Sequence, residues 1–187
     1  MTTPARGRPR ASSRETIADA ATELFLEQGY ESTAVTEITR RAGVSRSSFF
    51  NYFAGKADIL WYVLDERIAT VLGGVADPET ALPDALSALA TTPTPGTLAL
   101  AIVDARTMGV EAELFAGRAD RQLRLAGAIA ERLVRDGGDP LRAEIAGAGA
   151  AAAALGAVWR WAERGAGRTS LAAALDEALA AAGELLG

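Results

Sequence analysis

The sequence predicts an all-α fold of about nine helices. Apolar residues recur three and four positions apart along most of the chain, and glycine or proline separates one such stretch from the next. No stretch shows the alternation of apolar and polar residues that is typical of a strand. Three short helices at the N-terminus are therefore expected to precede a larger helical body.

The first predicted helix begins near Ser13, because Ser12 and Glu15 have the spacing of a capping box. Its inner face consists of residues about one helical turn apart, and Gly29 ends it. The inner-face residues are Ile17, Ala21, Leu24, Phe25 and Gln28.

Two further helices, residues 34–41 and 46–53, are predicted on either side of a tight turn. Gly43 provides the permissive backbone that a sharp helix end needs. Val44 is the apolar residue of the turn, and Ser45 is a good N-cap for the helix that follows. This pattern is a helix-turn-helix.

The second helix of this pair is predicted to bury Phe49 and Phe53, which leaves a polar outer face. A face of Arg, Ser, Asn and Tyr suits base edges and phosphates in a DNA major groove. The sequence therefore predicts binding to double-stranded DNA. The outward residues are Arg46, Ser47, Ser48, Asn51 and Tyr52.

The rest of the chain is predicted to form an Ala- and Leu-rich helical body. Its first helix should stop at Gly73-Gly74, Asp139-Pro140 should start a long helix, and Ser170 should cap the last one. The almost uniformly apolar segment 97–109 is expected to be a central, buried helix, followed by a break at residues 110–117. In the next helix Leu123 is expected to face inward with Ile129. The predicted helices cover residues 57–72, 83–91, 97–109, 118–136, 140–164 and 171–186.

Composition excludes several classes of protein. The 187 residues include no Cys and no His, which removes disulfides, thiolate or imidazole metal sites and the common catalytic bases. We therefore expect neither an enzyme nor a metal or cofactor site. Arg, Asp or Glu interrupts every apolar run, and no apolar signal segment follows the basic N-terminus, so we expect a cytoplasmic protein without membrane contact.

The charge of the chain is unevenly distributed. The net charge of −5 argues against nucleic-acid binding, but residues 1–56 hold eight Arg or Lys against six Asp or Glu, while residues 57–187 hold eleven against eighteen. A basic end on an acidic body is expected of a protein that presents one face to DNA. The acidic residues also serve to keep a helical body soluble.

Residues 15–60 resemble the DNA-binding domain of the tetracycline-repressor (TetR) family of transcription regulators. The family usually has Tyr where this chain has Phe50, and Phe50 lacks the hydroxyl that commonly reaches a phosphate. The resemblance rests on Ile17, Ala20, Ala21, Leu24, Phe25, Gly29, Tyr30, Thr33, Val35, Ile38, Ala42, Gly43, Val44, Ser45, Phe50, Tyr52, Phe53, Lys56 and Leu60. It implies a DNA-binding domain (12–56) and a ligand-binding and dimerisation domain (57–187), while residues 1–11, rich in Pro, Gly and Arg, are predicted to be a flexible basic arm.

The resemblance also implies a role for Lys56, the single Lys of the chain, in contacting a phosphate; a solvated helix-start residue is the alternative. The Arg6-Gly7-Arg8-Pro9 segment resembles short cores that lie in AT-rich minor grooves, and a basic tail of nonspecific affinity is the alternative. The predicted DNA-binding residues are Arg8, Arg10, Thr33, Thr36, Arg46, Ser47, Ser48, Asn51, Tyr52 and Lys56.

Regulators of this family normally hold a small-molecule effector in the body and are repressors released from a pseudo-palindromic operator. The layout from Leu98 onward is similar to members that sense acyl-coenzyme A-like or fatty-acid-like ligands. Arg106, a lone cation in an apolar helix, needs an anionic partner, either on a ligand or on Asp104 or Asp58. A well-filled body would instead indicate constitutive DNA binding. The candidate pocket residues are Trp61, Leu64, Leu86, Leu89, Ile102, Val103, Arg106, Met108, Phe115, Leu125, Ile129 and Trp159.

The last two helices carry stripes of small and apolar residues, which allow helix axes to approach closely. Two such helices from each subunit would form a four-helix homodimer interface, as the family generally does; packing within one subunit is the alternative. Trp159 and Trp161 cannot share a face, so one is expected in the core and the other nearer the interface. The predicted interface residues are Ile145, Gly149, Ala152, Gly156, Leu171, Leu175, Leu179 and Ala182.

Overall fold

The computed structural model describes residues 13–186, and side chains as far as residue 184. Within this range the regular elements are ten α-helices and one 3-10 turn at Ala88–Ala90, which confirms the all-α prediction. The helices are α1 (Ser13–Gln28), α2 (Val35–Ala42), α3 (Arg46–Phe50), α4 (Lys56–Ala76), α5 (Leu82–Ser87), α6 (Gly96–Val103), α7 (Ala105–Met108), α8 (Glu111–Arg135), α9 (Pro140–Glu163) and α10 (Leu171–Leu186).

Helices α1 to α3 enclose a small apolar core that continues into α4. Ile17, Phe25, Ile38 and Phe49 are fully buried, as the helical periodicity predicts. Gly29 ends α1 in the left-handed region, at φ 86°.

Helix α4 does not stop at Gly73-Gly74 as predicted, but continues to Ala76. The reason lies in packing: a Cβ atom on Gly74 would lie 2.9 Å from the Cβ of Ala85 in α5. Gly74 therefore allows two helices to approach closely. Val75, one residue further on, is buried in the same core.

The apolar segment predicted as one central helix is divided between α6 and α7. Asp104 interrupts it with φ −102° and ψ 22°, outside the α-helical range. Leu98 and Met108 are buried, but Val103 and Arg106 are exposed, so the prediction of a uniformly buried helix is wrong. The carbonyl oxygen of Met108 accepts a hydrogen bond from the Tyr30 N–H at 2.7 Å, which joins α7 to the end of α1.

Helix α8 begins at Glu111, so the predicted break at residues 110–117 is absent. Gly117 lies inside the helix because the indole of Trp61 occupies the space of its missing side chain. Leu123, predicted to face inward, is 74% exposed, and Leu125 is buried in its place. The helix thus starts seven residues earlier than predicted, and the packing of Gly117 against Trp61 accompanies the burial of the Leu125 face.

Helix α9 packs between α8, α10 and α6. Asp139 caps it as predicted, since its side chain accepts a hydrogen bond from the Arg142 N–H at 3.0 Å. Of the two tryptophans, Trp161 is buried and donates to the Thr169 carbonyl oxygen, while Trp159 is half-buried.

Contrary to the expectation from interrupted apolar runs, α9 is long and apolar enough to cross a membrane by length and composition; the other described helices are not. Only 39% of its most apolar window is buried within the subunit. A core helix of a globular protein meets the same criteria, so α9 is an apolar helix that this subunit covers incompletely.

Candidate nucleic-acid interface

The turn between α2 and α3 has the geometry of a helix-turn-helix. Gly43 adopts φ 67° and ψ 30°, the left-handed conformation in which a glycine carries no steric cost. Its N–H and that of Val44 donate to carbonyl oxygens at the end of α2. The Ser45 hydroxyl then accepts a hydrogen bond from the Ser48 N–H at 3.0 Å and so caps α3.

Polar contacts fix the start of α2 against the end of α1. One carboxylate oxygen of Glu37 accepts from the Ala34 N–H at 3.0 Å and from the Gln28 amide at 3.1 Å. These two donors hold the pKa of Glu37 below its usual value. Arg41 makes a second connection, a two-point ion pair with Glu27 that lowers the pKa of that carboxyl. This ion pair links α2 to α1.

The outer face of α3 is polar and accessible. Arg46, Ser47 and Asn51 are exposed, and Tyr52 is 43% exposed. Ser48 is half-buried because its hydroxyl meets that of Ser45 at 2.9 Å. The helix is shorter than predicted and ends at Phe50, yet the Phe53 N–H still donates to the Phe49 carbonyl oxygen at 3.0 Å. The predicted face is therefore assembled around the end of α3.

Phe50 is 47% exposed and packs edge-on against Phe49, with ring centroids 5.2 Å apart. The guanidinium of Arg46 lies 5.5 Å from the centroid of the Phe50 ring. At the place where the family usually has a tyrosine, this chain therefore presents an apolar ring that supports an arginine.

Two threonines of the predicted interface point in different directions. Thr36 is exposed on α2, whereas Thr33 is 2% exposed and its hydroxyl donates to the Gly29 carbonyl oxygen at 2.8 Å. Because that hydroxyl is already paired inside the fold, we remove Thr33 from the set of expected DNA contacts. Arg8 and Arg10 lie outside the described residues.

Lys56 begins α4, as predicted, but its ammonium group faces the protein. The Nζ atom donates to the Tyr30 carbonyl oxygen at 2.7 Å and lies 4.0 Å from the centroid of the Tyr30 ring. The side chain is half-buried rather than solvated. An ammonium has three donors, so a phosphate contact is compatible with this bond.

Most residues predicted to line an effector pocket are packed against one another. Leu64, Leu89, Met108, Leu125 and Ile129 are at most 1% exposed, and Trp61 and Leu86 are buried as well. Val103, Arg106 and Phe115 instead face outward, Phe115 with 80% of its surface exposed. The helix is interrupted at Asp104, and Arg106 beyond it faces away from the core. Arg106 is therefore not the buried cation that its apolar neighbours in the sequence suggested.

Three of the predicted pocket residues, Ile102, Phe115 and Trp159, meet at an open cleft of about 250 Å³ between α6, α7, α8 and α9. Arg118 also lines this cleft, with its guanidinium 4.5 Å from the centroid of the Trp159 ring. Sequence reasoning missed Arg118. The available signal was its position one turn before Arg121 on a helix opposite two tryptophans.

The predicted dimer residues separate into two groups. Leu171 and Leu175 are buried between α10 and the body of their own subunit. Ile145 is 49% exposed, and Leu179 is half-buried. The small residues line a shallow groove of about 330 Å³ between α9 and α10, namely Gly149, Ala152, Ala153, Gly156, Ala178, Ala181 and Ala182, with Arg160.

The fold and the α2–α3 geometry have counterparts among known proteins. Residues 17–63 match the family model for bacterial regulatory proteins of the tetR family. The HTH-type transcriptional repressor Rv1474c of Mycobacterium tuberculosis is 32% identical in an alignment of 134 residues. The alignment covers 67% of this chain and 66% of that protein.

Other relatives match over shorter stretches. The A-factor receptor protein of Streptomyces griseus is 42% identical over 55 residues, 29% of this chain and 20% of the receptor. The HTH-type transcriptional activator FasR of Mycolicibacterium smegmatis is 33% identical over 67 residues, 36% of this chain and 31% of the activator. The match thus spans less than a third of the length of either protein.

Solved structures share the whole fold. A crystal structure from Syntrophomonas wolfei, described as a TetR-family regulator, superposes with a TM-score of 0.61 at 18% identity and covers 93% of this chain and 94% of its own. The fatty acid degradation regulator FadR of Bacillus halodurans gives 0.53 at 18% identity, over 96% and 97% of the two chains. Of these relatives, Rv1474c is named as a repressor of transcription and FasR as an activator. The chain belongs to the TetR family of bacterial regulatory proteins.

Proposed function

We propose that this protein is a DNA-binding transcription regulator, most simply a repressor, that binds a pseudo-palindromic operator as a homodimer in the cytoplasm. The observation that carries the proposal is the exposed polar face of α3, held by the turn at Gly43 and the Ser45 cap. The surrounding core is apolar and fully packed, so this face is presented by a rigid support. A rigid helix with free Arg, Asn and Tyr side chains suits the major groove.

The proposed contacts divide into two kinds. Arg46 and Asn51 are the side chains best suited to base edges, because both can form two-point hydrogen bonds. Thr36, Ser47, Tyr52 and Lys56 are placed to meet phosphates, which fix the position of the protein without specifying sequence. The exposure of Thr36, Ser47 and Tyr52 supports this assignment.

We assign the homodimer interface to the exposed faces of α9 and α10. Gly149, Ala152 and Gly156 form a groove in which a partner helix could approach closely. Only 39% of the apolar window of α9 is buried in one subunit, and a second copy of the same two helices would cover its exposed residues. Leu171 and Leu175 are buried within their own subunit, so we do not include them in the interface surface.

We further propose a small-molecule effector, apolar with an anionic end, that lowers operator affinity. Constitutive DNA binding is the second candidate, and one observation favours it: Leu64, Leu89, Leu125 and Met108, all predicted to line the pocket, are at most 1% exposed and belong to the apolar core. A coupling of about 1–3 kcal/mol between effector and operator would be typical of a responsive regulator.

Selection of bound duplexes from a random DNA library tests the DNA-binding proposal. We expect recovery of a pseudo-palindrome with two half-sites about one helical turn apart or a multiple of it. Asn51→Ala should relax preference at one position of each half-site, at a cost of about 1–3 kcal/mol. Arg124→Gln, a charge change on the exposed face of α8, is the matched control and should leave binding unchanged. Recovery of no preferred sequence by the wild-type protein would contradict the proposal.

A further inference from the structure

Two arginines one turn apart on α8 lie against two neighbouring tryptophans but differ in their charge partners. Trp61 and Trp159 have ring centroids 6.1 Å apart. Arg121 lies 4.0 Å from the centroid of Trp61 and forms a two-point ion pair with Asp65, at 2.7 and 2.6 Å. Arg118 lies 4.5 Å from the centroid of Trp159, and none of the salt bridges among the described residues includes it.

Arg118 is therefore a half-buried cation that forms no salt bridge within the part of the chain that the structure describes. Its partial burial lowers the pKa of the guanidinium, and the more distant charge of Glu163 opposes that effect. The guanidinium remains charged at any physiological pH, so its position carries a desolvation cost that an anion would offset. Arg121, which also lies against a tryptophan ring, has its charge balanced by the carboxylate of Asp65.

The cleft beside Arg118 has apolar walls. The apolar residues that line it are Ile102, Leu114, Phe115 and Trp159. Phe115 is 80% exposed, so its ring is open to contact with a bound apolar group. At about 250 Å³ the cleft is smaller than the usual range for drug-sized ligands, which limits the occupant to a short acyl or aryl group.

The charges around the cleft limit the anion as well. Arg118 is its one cationic lining residue, while Glu111 and Glu163 both line it. Two carboxylates beside one guanidinium disfavour a phosphate dianion or the several phosphates of a coenzyme A ester. A single carboxylate, which matches the two-pronged geometry of a guanidinium, fits this arrangement best.

We propose that the cleft binds a small apolar monocarboxylate, with its carboxylate on Arg118 and its hydrocarbon part between Phe115 and Trp159. The cleft shares Ile102, Phe115 and Trp159 with the predicted pocket, but its anionic anchor is Arg118 instead of Arg106. The binding site itself stands on the cleft geometry, whereas its regulatory effect rests on the proposed function above.

A route from the cleft to the DNA-binding face follows from the covalent and hydrogen-bonded connections. Ile102 and Ala105 line the cleft and flank the point where α6 gives way to α7. Helix α7 ends at Met108, whose carbonyl oxygen accepts from the Tyr30 N–H, and the Tyr30 carbonyl oxygen accepts from Lys56. An occupant that separates α7 from α8 would therefore displace the support of α1 and of Lys56.

Binding is tested on the full chain without DNA, by titrating octanoate while following tryptophan fluorescence. Because Trp159 and Trp61 lie at or beside the cleft, saturable binding should change the emission. Octanol has the same chain without the charge and should bind at least about ten-fold more weakly, since a hydrogen bond to a charged group typically contributes that much or more. Arg118→Gln should weaken octanoate binding to a similar extent, and Arg124→Gln on the same helix should not.

The outcomes separate this proposal from the proposed function. Octanoate binding that depends on Arg118 supports the site, and release of the selected operator by the same concentrations supports its regulatory role. Failure of octanoate and of an aryl carboxylate such as benzoate to bind overturns the site, even if the protein binds its operator normally. An Arg118→Gln protein that becomes monomeric in sedimentation overturns it too, because the partner of Arg118 would then be an acid of the second subunit.

Discussion

Helix α8 contains two glycines, Gly117 and Gly127, that provide a matched test of the packing around Trp61. A Cβ atom on Gly117 would lie 2.4 Å from Cζ2 and 2.6 Å from Cε2 of Trp61, whereas one on Gly127 would meet nothing within 4 Å. Alanine is favoured over glycine inside a helix by about 1 kcal/mol, and this gain is common to both positions. The difference between the two alanine variants therefore measures packing alone.

The size of that difference follows from how firmly Trp61 is held. Carbon atoms normally rest about 3.5–4.0 Å apart, so the indole would have to move by roughly 1 Å or more. It has little room, being 3% exposed, covered by Arg121 on one face and beside Trp159. Overpacking of this kind costs about 1–3 kcal/mol. Gly127→Ala should thus stabilise the protein by about 0.5–1 kcal/mol, and Gly117→Ala should be less stable than Gly127→Ala by about 1–3 kcal/mol.

Thermal and urea unfolding, followed by circular dichroism at equal protein concentrations, would measure both variants. For a chain of this size 1 kcal/mol shifts the melting temperature by about 2–4 °C, so the two should differ by about 2–12 °C. Equal concentrations matter because the stability of a dimer depends on concentration. If both variants gain equally, Trp61 is free to move, and the reasoning about a fixed pair of tryptophans beside Arg118 fails with it.

Three other predictions concern the body, the phosphate contact and the dimer. Gly147→Ala should lower the stability of the protein at least as much as Gly117→Ala does. Its Cβ would lie 2.6 Å from the backbone oxygen of Ala126, which cannot rotate away. Equal melting temperatures for the wild type and Gly147→Ala would contradict this. Lys56→Met should weaken binding to all DNA sequences and lower the magnitude of the slope of log affinity against log salt concentration by about one. An unchanged slope would mean that Lys56 acts only through its hydrogen bond to the Tyr30 carbonyl oxygen. Gly156→Arg should give a folded monomer in sedimentation with a steep loss of operator affinity, and a dimer that binds DNA normally would place the interface elsewhere.

Local signals in the sequence were sufficient for the DNA-binding end. The turn at Gly43, the N-cap at Ser45 and the burial of Phe49 each depend on residues within one or two helical turns, and all three are found as predicted. The direction of the Thr33 hydroxyl was not predictable in the same way. Its acceptor is the Gly29 carbonyl oxygen four residues earlier, and this 2.8 Å contact depends on how residues 30–32 turn between α1 and α2.

In the helical body, the helix boundaries predicted from glycines were wrong. The sequence predicts a helix end at Gly73-Gly74 and a break between helices at residues 110–117, because glycine commonly interrupts helices. In the structure Gly74 admits Ala85 and Gly117 admits Trp61, residues far away in the sequence.

By itself the sequence determined the helical fold class, the position of the helix-turn-helix, the caps at Ser45 and Asp139, and the uneven charge that points one end toward DNA. These properties depend on side chains close together in the chain or on composition. The tertiary structure alone decided which arginine lacks an anion. Arg121 is neutralised by Asp65, 56 positions away, while Arg118 one turn earlier is not, and Arg106 is turned to solvent by the interruption at Asp104. Charge pairing across a folded core depends on distances that no local pattern encodes.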